Sequence, residues 1–454
     1  MKKMSLAEIV SAVDGSFGYP SDTLVDSIST DTRKITENSV FLALKGENFD
    51  GHDFAAEAMK LGAAAVITER PVEGAKCIIV DSTAKALLDL AHYYREKFSI
   101  PLVGITGSVG KTTTKDMIAC VLARKFKTLK TEGNHNNEVG MPQTLFGLDD
   151  SYEAAVIEMG MNHAGEMSRL SSCSAPTICV ITNIGVSHIE NLGSQENILK
   201  AKLEILDGAA PDAPLILNRD DKLLAGIELH GGRRAMYYSL RKKDCDVYAS
   251  NIVSENNRIT FTINYNGGKY PAELEVLGEH NIRNALAAFC VGVMLGIDPA
   301  ECAKGAGDYK PGGLRQNVSV RNGITLIIDC YNAAPDSMKA ALSVLSQVSA
   351  AENGKRICVL ADMLELGKNA RLYHKNVGEH VASSKADMLL CFGENSQFYI
   401  EGAVKKGFPA DACKHFDTRE ELAEYLKTQV SEGDAVLFKG SRGMKLEEVV
   451  ESLG

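Results

Sequence analysis

Apolar and polar positions along the chain fall into a repeating order of short hydrophobic runs and longer amphipathic stretches. Near the start, "SVFLALKG" (39–46) and "AAAVITE" (63–69) predict strands, and "DFAAEAMKLGA" (53–63) predicts a helix closed by Gly62. Together they make a small α/β unit. After "FSIPLVGITG", where Pro101 punctuates the chain, "LVGIT" (102–106), "AAVIEMG" (154–160) and "TICVITNIG" (177–185) are apolar runs separated by helical patterns. Continuous apolar strands alternating with helices predict a mostly parallel sheet covered by helices. The stretch 246–278 changes character, with alternating residues and the turn signals "ENN" and "NGG". It predicts hairpins, a β-rich appendage to that sheet. "YKPGGLRQN" (309–317) reads as a joint, beyond which "ITLIIDC", "RICVLAD", "DMLLCFG" and "DAVLFKG" alternate with helices in a Rossmann-like manner. The expected fold class is α/β in three domains, over 1–100, 101–313 and 314–454.

Length agrees, since 454 residues exceed one ordinary domain. Hydrophobic content of 45% and charged content of 24% fit a globular protein with a sizeable core. The formal charge of −10 argues against general binding to nucleic acid or an anionic membrane surface. No stretch approaches the roughly 18 apolar residues of a membrane span, and "MKKMSLAEIVSAVDGSFG" lacks the apolar run of a signal peptide. The 11 cysteines are scattered singly, with no C-x-x-C pair. A disulfide framework or zinc site is therefore not expected, and a reducing cytoplasm is.

The chemistry begins at "GITGSVGKTTTK" (104–115). A phosphate loop needs a strand, a Gly-rich turn with inward N–H groups, a Lys, and Ser/Thr at a helix start. Strand "LVGIT", turn "GSVG", Lys111, Thr112 and an amphipathic stretch supply them in order. The helix dipole adds favourable potential for phosphate. The strict G-x-x-x-x-G-K-T spacing would place Gly at Ile105, so a plain strand-to-helix turn stays open as the other reading. Glu158 ends a predicted strand, where open α/β sheets place ligands, and Mg²⁺ takes one or two such carboxylates. His188 follows another strand, and Lys202 lies on the next helix. Read alone, His188 is better taken as a loop histidine than a ligand, and Lys202 as a solvated helix lysine.

Taken in order, T-G-x-x-G-K-T-T, E-M-G, S-H-I-E, A-K-L-E and H-N-I-R-N-A-L-A-A resemble the Mur ligases. These are the ATP-dependent amide-bond ligases of peptidoglycan precursor synthesis, relatives of folylpolyglutamate synthetase. "STDTRKITENSVFLALKGENFDGHDFA" looks like the uridine-nucleotide domain of the members that add the third residue and the terminal dipeptide. "DCYNAAPDSM" and "LADMLELG" look like the member that adds the dipeptide; the D-Y-A-H-T-P-D and D-N-P-R motifs of the third-residue ligase are missing. The resemblance implies that ATP phosphorylates the carboxylate of UDP-N-acetylmuramoyl-tripeptide and that D-alanyl-D-alanine attacks the acyl phosphate. It implies a UDP-substrate domain, a central ATP-binding domain and a C-terminal domain for the incoming dipeptide. A monomer is expected. The other readings are a third-residue ligase, a folylpolyglutamate synthetase, or a P-loop switch that forms no bond.

The resemblance also implies roles, residue by residue. Gly107, Ser108, Val109, Gly110, Lys111, Thr112 and Thr113 would hold the β- and γ-phosphates. Thr112 and Glu158 would bind one Mg²⁺; His188 would bind a second, helped by a Lys202 carbamylated by CO₂. Asn281 and Asn284 would lie near the adenine, and Arg315 and Asp329 would reach ATP from the C-terminal domain. Thr32, Arg33 and Lys45 would bind the uridine diphosphate, Asn134 and Asn137 the muramoyl peptide, and Asn332 the substrate. Cys330 and Ala334 depart from the family pattern. Cys330, beside Asp329 at a strand end, is expected to meet thiol reagents.

Overall fold

A computed structural model describes the chain except for residues 47, 228–231, 256, 349–350, 352–353 and 454. Besides a two-stranded pair, Met4–Ser5 with Leu24–Val25, three larger sheets succeed one another. The first holds four parallel strands, Ser27–Ser29, Ser39–Leu42, Ala65–Thr68 and Cys77–Ile79, in chain order. The helix Thr83–Glu96 follows, capped by the Ser82 hydroxyl, which accepts from the Lys85 N–H. Its buried Ala86, Leu87, Leu90, Ala91 and Tyr94 recur at helical spacing and share one core with Met141, Leu145, Phe146 and Leu170 of the next unit. Arg95 is buried with them and donates to the carbonyls of Ser174, Phe98 and Ile100. An apolar helix face and a buried guanidinium thus fasten the first unit to the second.

The second sheet has nine strands. Leu102–Thr106 lies third from one edge, between Ala154–Glu158 and Ile178–Ile181, all parallel and buried throughout. Burial on both faces explains why these strands read as unbroken apolar runs. The expected appendage continues the same sheet: Val247–Glu255 joins it in parallel, and Arg258–Tyr265 and Gly268–Leu274 close the edge antiparallel.

The third sheet has six strands. Ile324–Asp329, Ala435–Lys439, Arg356–Ala361, Met388–Phe392 and Cys413–Phe416 run parallel, and Asn317–Arg321 pairs antiparallel at the edge. Helix Glu279–Met294 brings Ile282 and its neighbours into one apolar cluster with Met338, Ala341 and Val344 of the third unit. The C-terminal strand ends of the second and third sheets meet at a cleft, the usual ligand position in open α/β sheets. Among the described residues no helix is long and apolar enough to cross a membrane.

Candidate active site

The cleft has a volume of about 930 Å³ and is lined from both sheets. Its floor is the turn between strand Leu102–Thr106 and helix Lys111–Leu122. Gly107 has φ of +153°, and a Cβ there would stand 1.9 Å from Thr182 Oγ1. Gly110 is left-handed, with φ of +82°, and caps the helix. Only glycine meets both demands cheaply. The first internal helix bond runs from Thr114 N to Gly110 O, so the amides of Lys111, Thr112 and Thr113 remain for a ligand. The amides of Ser108 and Val109 are already engaged, donating to Asn183 Oδ1 at 3.0 Å each. Both residues line the cleft, but their amides are spent on shaping the loop, in contrast to the expected phosphate contacts.

Lys111 Nζ donates to Gly107 O at 2.8 Å. Burial pushes its pKa below the ordinary lysine value, against the opposing pull of Glu158. Glu158 ends its strand with 1% exposure. Its Oε1 accepts from Asn136 Nδ2 at 2.8 Å, and its backbone N–H donates to Thr131 Oγ1. Its Oε2 is buried with no partner among the described residues. A buried carboxylate oxygen left unpaired costs roughly 1–3 kcal/mol or more, so a cation or donor is the fitting occupant.

Lys202 lies in the last turn of helix Gln195–Leu203 and is 2% exposed. Its amine forms no hydrogen bond or ion pair with the described residues. Burial first, and the Lys111 charge second, push its pKa well down, so the amine is held towards neutrality. His188 has φ of +61° and begins the short helix Ile189–Leu192. Its Nδ1 lies 2.6 Å from Glu365 Oε2 of the third unit. That contact holds the Glu365 carboxyl below its ordinary range.

On the far wall Asp329 is already paired. Its Oδ2 lies 2.7 Å from Lys439 Nζ, and its Oδ1 accepts from Gln316 N at 3.2 Å. The Arg315 guanidinium lies 4.0 Å over the Tyr331 ring. Asn332 lines the cleft, while its Oδ1 accepts from Ala333 N. At the opposite end Asp220 binds Arg283 Nε at 3.0 Å and Ser239 Oγ at 2.5 Å. Burial raises Asp220, but the bonds from Ser239, Leu240 and Arg283 outweigh it and leave the carboxyl below its usual range.

The proposed residues do not all face this cleft. Asn284 does; Asn281 is 1% exposed and spends its Nδ2 on Leu277 O and Gln316 Oε1. Asn137 lines the cleft, and its Oδ1 accepts from Gly140 N, whereas Asn134 is exposed on the same loop outside the lining. Thr32 and Arg33 sit in a turn of the first unit, where Arg33 grips Asp31 through Nε and Nη2. The Lys45 backbone pairs in an isolated antiparallel β-bridge with that of Asp50. All three lie away from the cleft lining. Cys330 is fully buried among Phe438 and Leu446 under the third sheet, and burial pushes its thiol up to about 12. The expectation of a reactive thiol is overturned, because the side chain points into a core. Asn136, Asn183, Gln316, Glu365 and Lys439 were not anticipated. Only Lys439, a charge ending an apolar strand, carried a signal in sequence.

Comparison with known proteins agrees with this arrangement. Residues 24–95 match the description "Mur ligase family, catalytic domain", 105–292 "Mur ligase middle domain" and 315–442 "Mur ligase, glutamate ligase domain". The UDP-N-acetylmuramoyl-tripeptide–D-alanyl-D-alanine ligase of Bacillus subtilis is 40% identical, with 100% of this chain and 99% of that protein covered. A crystal structure of MurF from Acinetobacter baumannii superposes with a TM-score of 0.92 at 32% identity, covering 100% and 99%. MurF ligase from Thermotoga maritima, solved in complex with ADP, gives 0.83 at 28% identity, covering 94% and 96%. The chain belongs to the Mur ligase family.

Proposed function

We infer that this chain is an ATP-dependent, ADP-forming ligase that joins D-alanyl-D-alanine to UDP-N-acetylmuramoyl-tripeptide, completing the pentapeptide precursor of peptidoglycan. A carboxylate is a poor electrophile. Transfer of the γ-phosphoryl group from ATP to the terminal carboxylate makes an acyl phosphate and releases ADP. The dipeptide amine then attacks the carbonyl carbon, and the C–O bond to phosphate breaks. The protein's task is positioning and charge neutralisation.

Lys111 and the first-turn amides of its helix hold the transferring phosphoryl group. Thr112, Glu158 and His188 fit Mg²⁺: they offer a hydroxyl, a carboxylate oxygen without a partner, and an imidazole at one cleft. Two such ions would supply positive charge against the phosphates and the substrate carboxylate. Lys202 fits carbamylation. A neutral amine adds to CO₂, forming an N–C bond and losing a proton, and the buried cation becomes an anionic oxygen donor. Asn284 is placed toward the adenine, with Asn281 behind it, and Asp329 and Arg315 toward ribose and phosphates. Residues 1–100 take the uridine diphosphate at Thr32, Arg33 and Lys45. Asn137, with Asn134 at the loop tip, faces the muramoyl peptide; Asn332 faces the dipeptide side. The protein acts as a cytoplasmic monomer.

One observation carries the chemistry: Glu158 Oε2, buried in the cleft with the phosphate loop, has no partner among the described residues. The test is ADP release with UDP-tripeptides ending in meso-diaminopimelate or L-lysine, offered D-alanyl-D-alanine, diaminopimelate, L-lysine or glutamate. Release is expected with D-alanyl-D-alanine alone. Turnover with glutamate, or without any UDP-sugar peptide, would overturn the reading.

A further inference from the structure

We propose that Gln316 is a positioning residue that ties the C-terminal wall of the cleft to the phosphate loop through one unbroken chain of hydrogen bonds. Gln316 stands in the joint between the second and third sheets, with φ of +46°. A glutamine adopts that left-handed conformation only where its surroundings hold it there. They do so on three sides. Its Nε2 donates to Leu277 O at 2.8 Å, its Oε1 accepts from Asn281 Nδ2 at 2.7 Å, and His280 Nε2 lies 3.1 Å from the same oxygen. Leu277 O can only accept, so the amide has one possible orientation.

The chain of bonds runs both ways from this residue. Towards the nucleotide site, Asn281 Oδ1 accepts from Asn284 Nδ2 at 3.3 Å, and Asn284 Oδ1 accepts from Thr114 Oγ1 at 3.0 Å. Thr114 lies in the first turn of the phosphate-loop helix, and a Cβ on Gly110 would stand 3.1 Å from that Asn284 oxygen. Towards the C-terminal wall, the Gln316 N–H donates to Asp329 Oδ1, Asp329 Oδ2 holds Lys439, and Lys439 Nζ donates to Asn332 O at 2.9 Å. The backbone that carries Asn332 to Pro335 is therefore set, through Gln316, relative to Gly110.

Buried polar chains of this kind are specific because each broken bond leaves an unpaired group. Removing the Gln316 amide leaves Leu277 O and Asn281 Nδ2 with only each other and takes the partner from His280 Nε2. It cuts the tie between the C-terminal wall, still held through the Gln316 N–H, and the Asn281 side, without touching any phosphate-binding group. A reactant misplaced by about 1 Å loses roughly 10²-fold in rate. For turnover the proposal rests on the ligase reading; for structure it stands alone.

The test uses the full chain with Gln316→Met, which keeps the length and the backbone N–H bond to Asp329 but none of the side-chain bonds, and Gln316→Glu. Hydrogen exchange is expected to quicken in Gln316→Met both at 329–337 and at 110–114, on either side of the joint. Faster exchange confined to 277–316, or unchanged everywhere, would overturn the proposal. In steady-state ligation, Gln316→Met is expected to lose about 10–100-fold in kcat while ATP-analogue Kd stays within about threefold. A loss carried by nucleotide affinity instead would also overturn it. Gln316→Glu restores the amide's pattern only when protonated, as an O–H donor to Leu277 O and a carbonyl acceptor for Asn281. Its activity relative to the parent protein should rise as pH falls from 8 to 6, and a flat ratio would count against the assignment. A parent protein that ligates nothing would end the ligase reading and leave the exchange result to decide this one.

Discussion

On the central-domain wall of the cleft Glu158 Oε2 has no partner among the described residues, Lys111 rests on a carbonyl of its own loop, and Lys202 is buried behind the lining with its amine held towards neutrality. On the C-terminal wall most comparable groups are occupied; Asp336 has no partner among the described residues, and burial raises its carboxyl towards the neutral form. Asp329 has Lys439, Arg315 lies on Tyr331, Asn332 turns back on the Ala333 amide, and Glu365 reaches across to His188. Both walls are built on strand ends, so topology does not separate them. Their state of satisfaction does. A fold keeps a buried unpaired charge only where a ligand completes it, so the central wall is where substrate charge is met. The C-terminal wall is pre-assembled and acts by where it is placed. Substitutions on the first wall should therefore remove chemistry outright, and those on the second should reduce it by degrees.

The largest effect is expected at Lys111. Lys111→Ala deletes the point charge on the transferring phosphoryl group, and ADP release should fall by about 10³-fold or more, with a melting curve showing that the protein still folds. Near-parental turnover would erase the distinction between the walls. Next comes Lys202→Ala, expected to lose about 10²-fold or more, the scale seen when one oriented electrostatic group is removed. ¹³CO₂ labelling of the parent protein should reveal a lysine adduct that the variant lacks. Lys202→Glu should regain part of the loss with a shorter carboxylate. A fully active alanine variant with no labelled adduct in the parent would strike Lys202 from the site.

The same contrast explains what was legible in the sequence. The central wall could be read because its parts are local: Gly107 and Gly110 need backbone shapes that only glycine takes easily, and Lys111 follows at once. The buried parallel strands could be read because burial on both faces leaves an unbroken apolar run. The C-terminal wall is made of distant pairings. Asp329 meets Lys439 at the far end of the sheet's chain path, and Gln316 meets Asn281 across the joint. Polar residues of that kind look like any surface polar until the fold pairs them. Asn136 and Asn183 stayed hidden for the same reason. Cys330 misled in the opposite sense, since period and spacing do not say which way the residue after a strand end points.

A smaller effect is expected across the cleft. Glu365 comes from the third unit and meets His188 with a left-handed backbone, φ +62°, and Gly367 beside it packs on Glu190. Glu365→Gln keeps the size and removes the charge. It should lower kcat by about tenfold, equivalent to about 1.4 kcal/mol, with ATP-analogue affinity almost unchanged. A collapse as deep as that of Lys111→Ala would move Glu365 to the group of the central wall.

The smallest effect concerns stability and has the opposite sign to the activity loss. Lys202 is buried and its pKa lies well below that of a free lysine, because burial disfavours the cation and Lys111 repels it. Between that lowered value and the ordinary lysine value of about 10.4, the unfolded chain binds a proton that the folded chain does not. Stability must therefore rise with pH across this window and fall as pH drops, since protonation of the unfolded state pulls the equilibrium toward it. Methionine fills nearly the same volume without an amine to desolvate. In CO₂-free buffer, Lys202→Met should raise stability at pH 7 by about 1 kcal/mol, the scale of a single favourable core substitution, while abolishing most turnover. The gain should shrink as pH approaches 10, where unfolding no longer takes up the proton. Adding bicarbonate should stabilise the parent protein and leave the methionine variant unmoved, because only a lysine can bind CO₂. Denaturant melts of both proteins at pH 7 and pH 10, with and without bicarbonate, read all three differences. A variant less stable than its parent at pH 7 would show that the Lys202 amine is satisfied in the folded chain and that the central wall is as fully paired as the wall it faces.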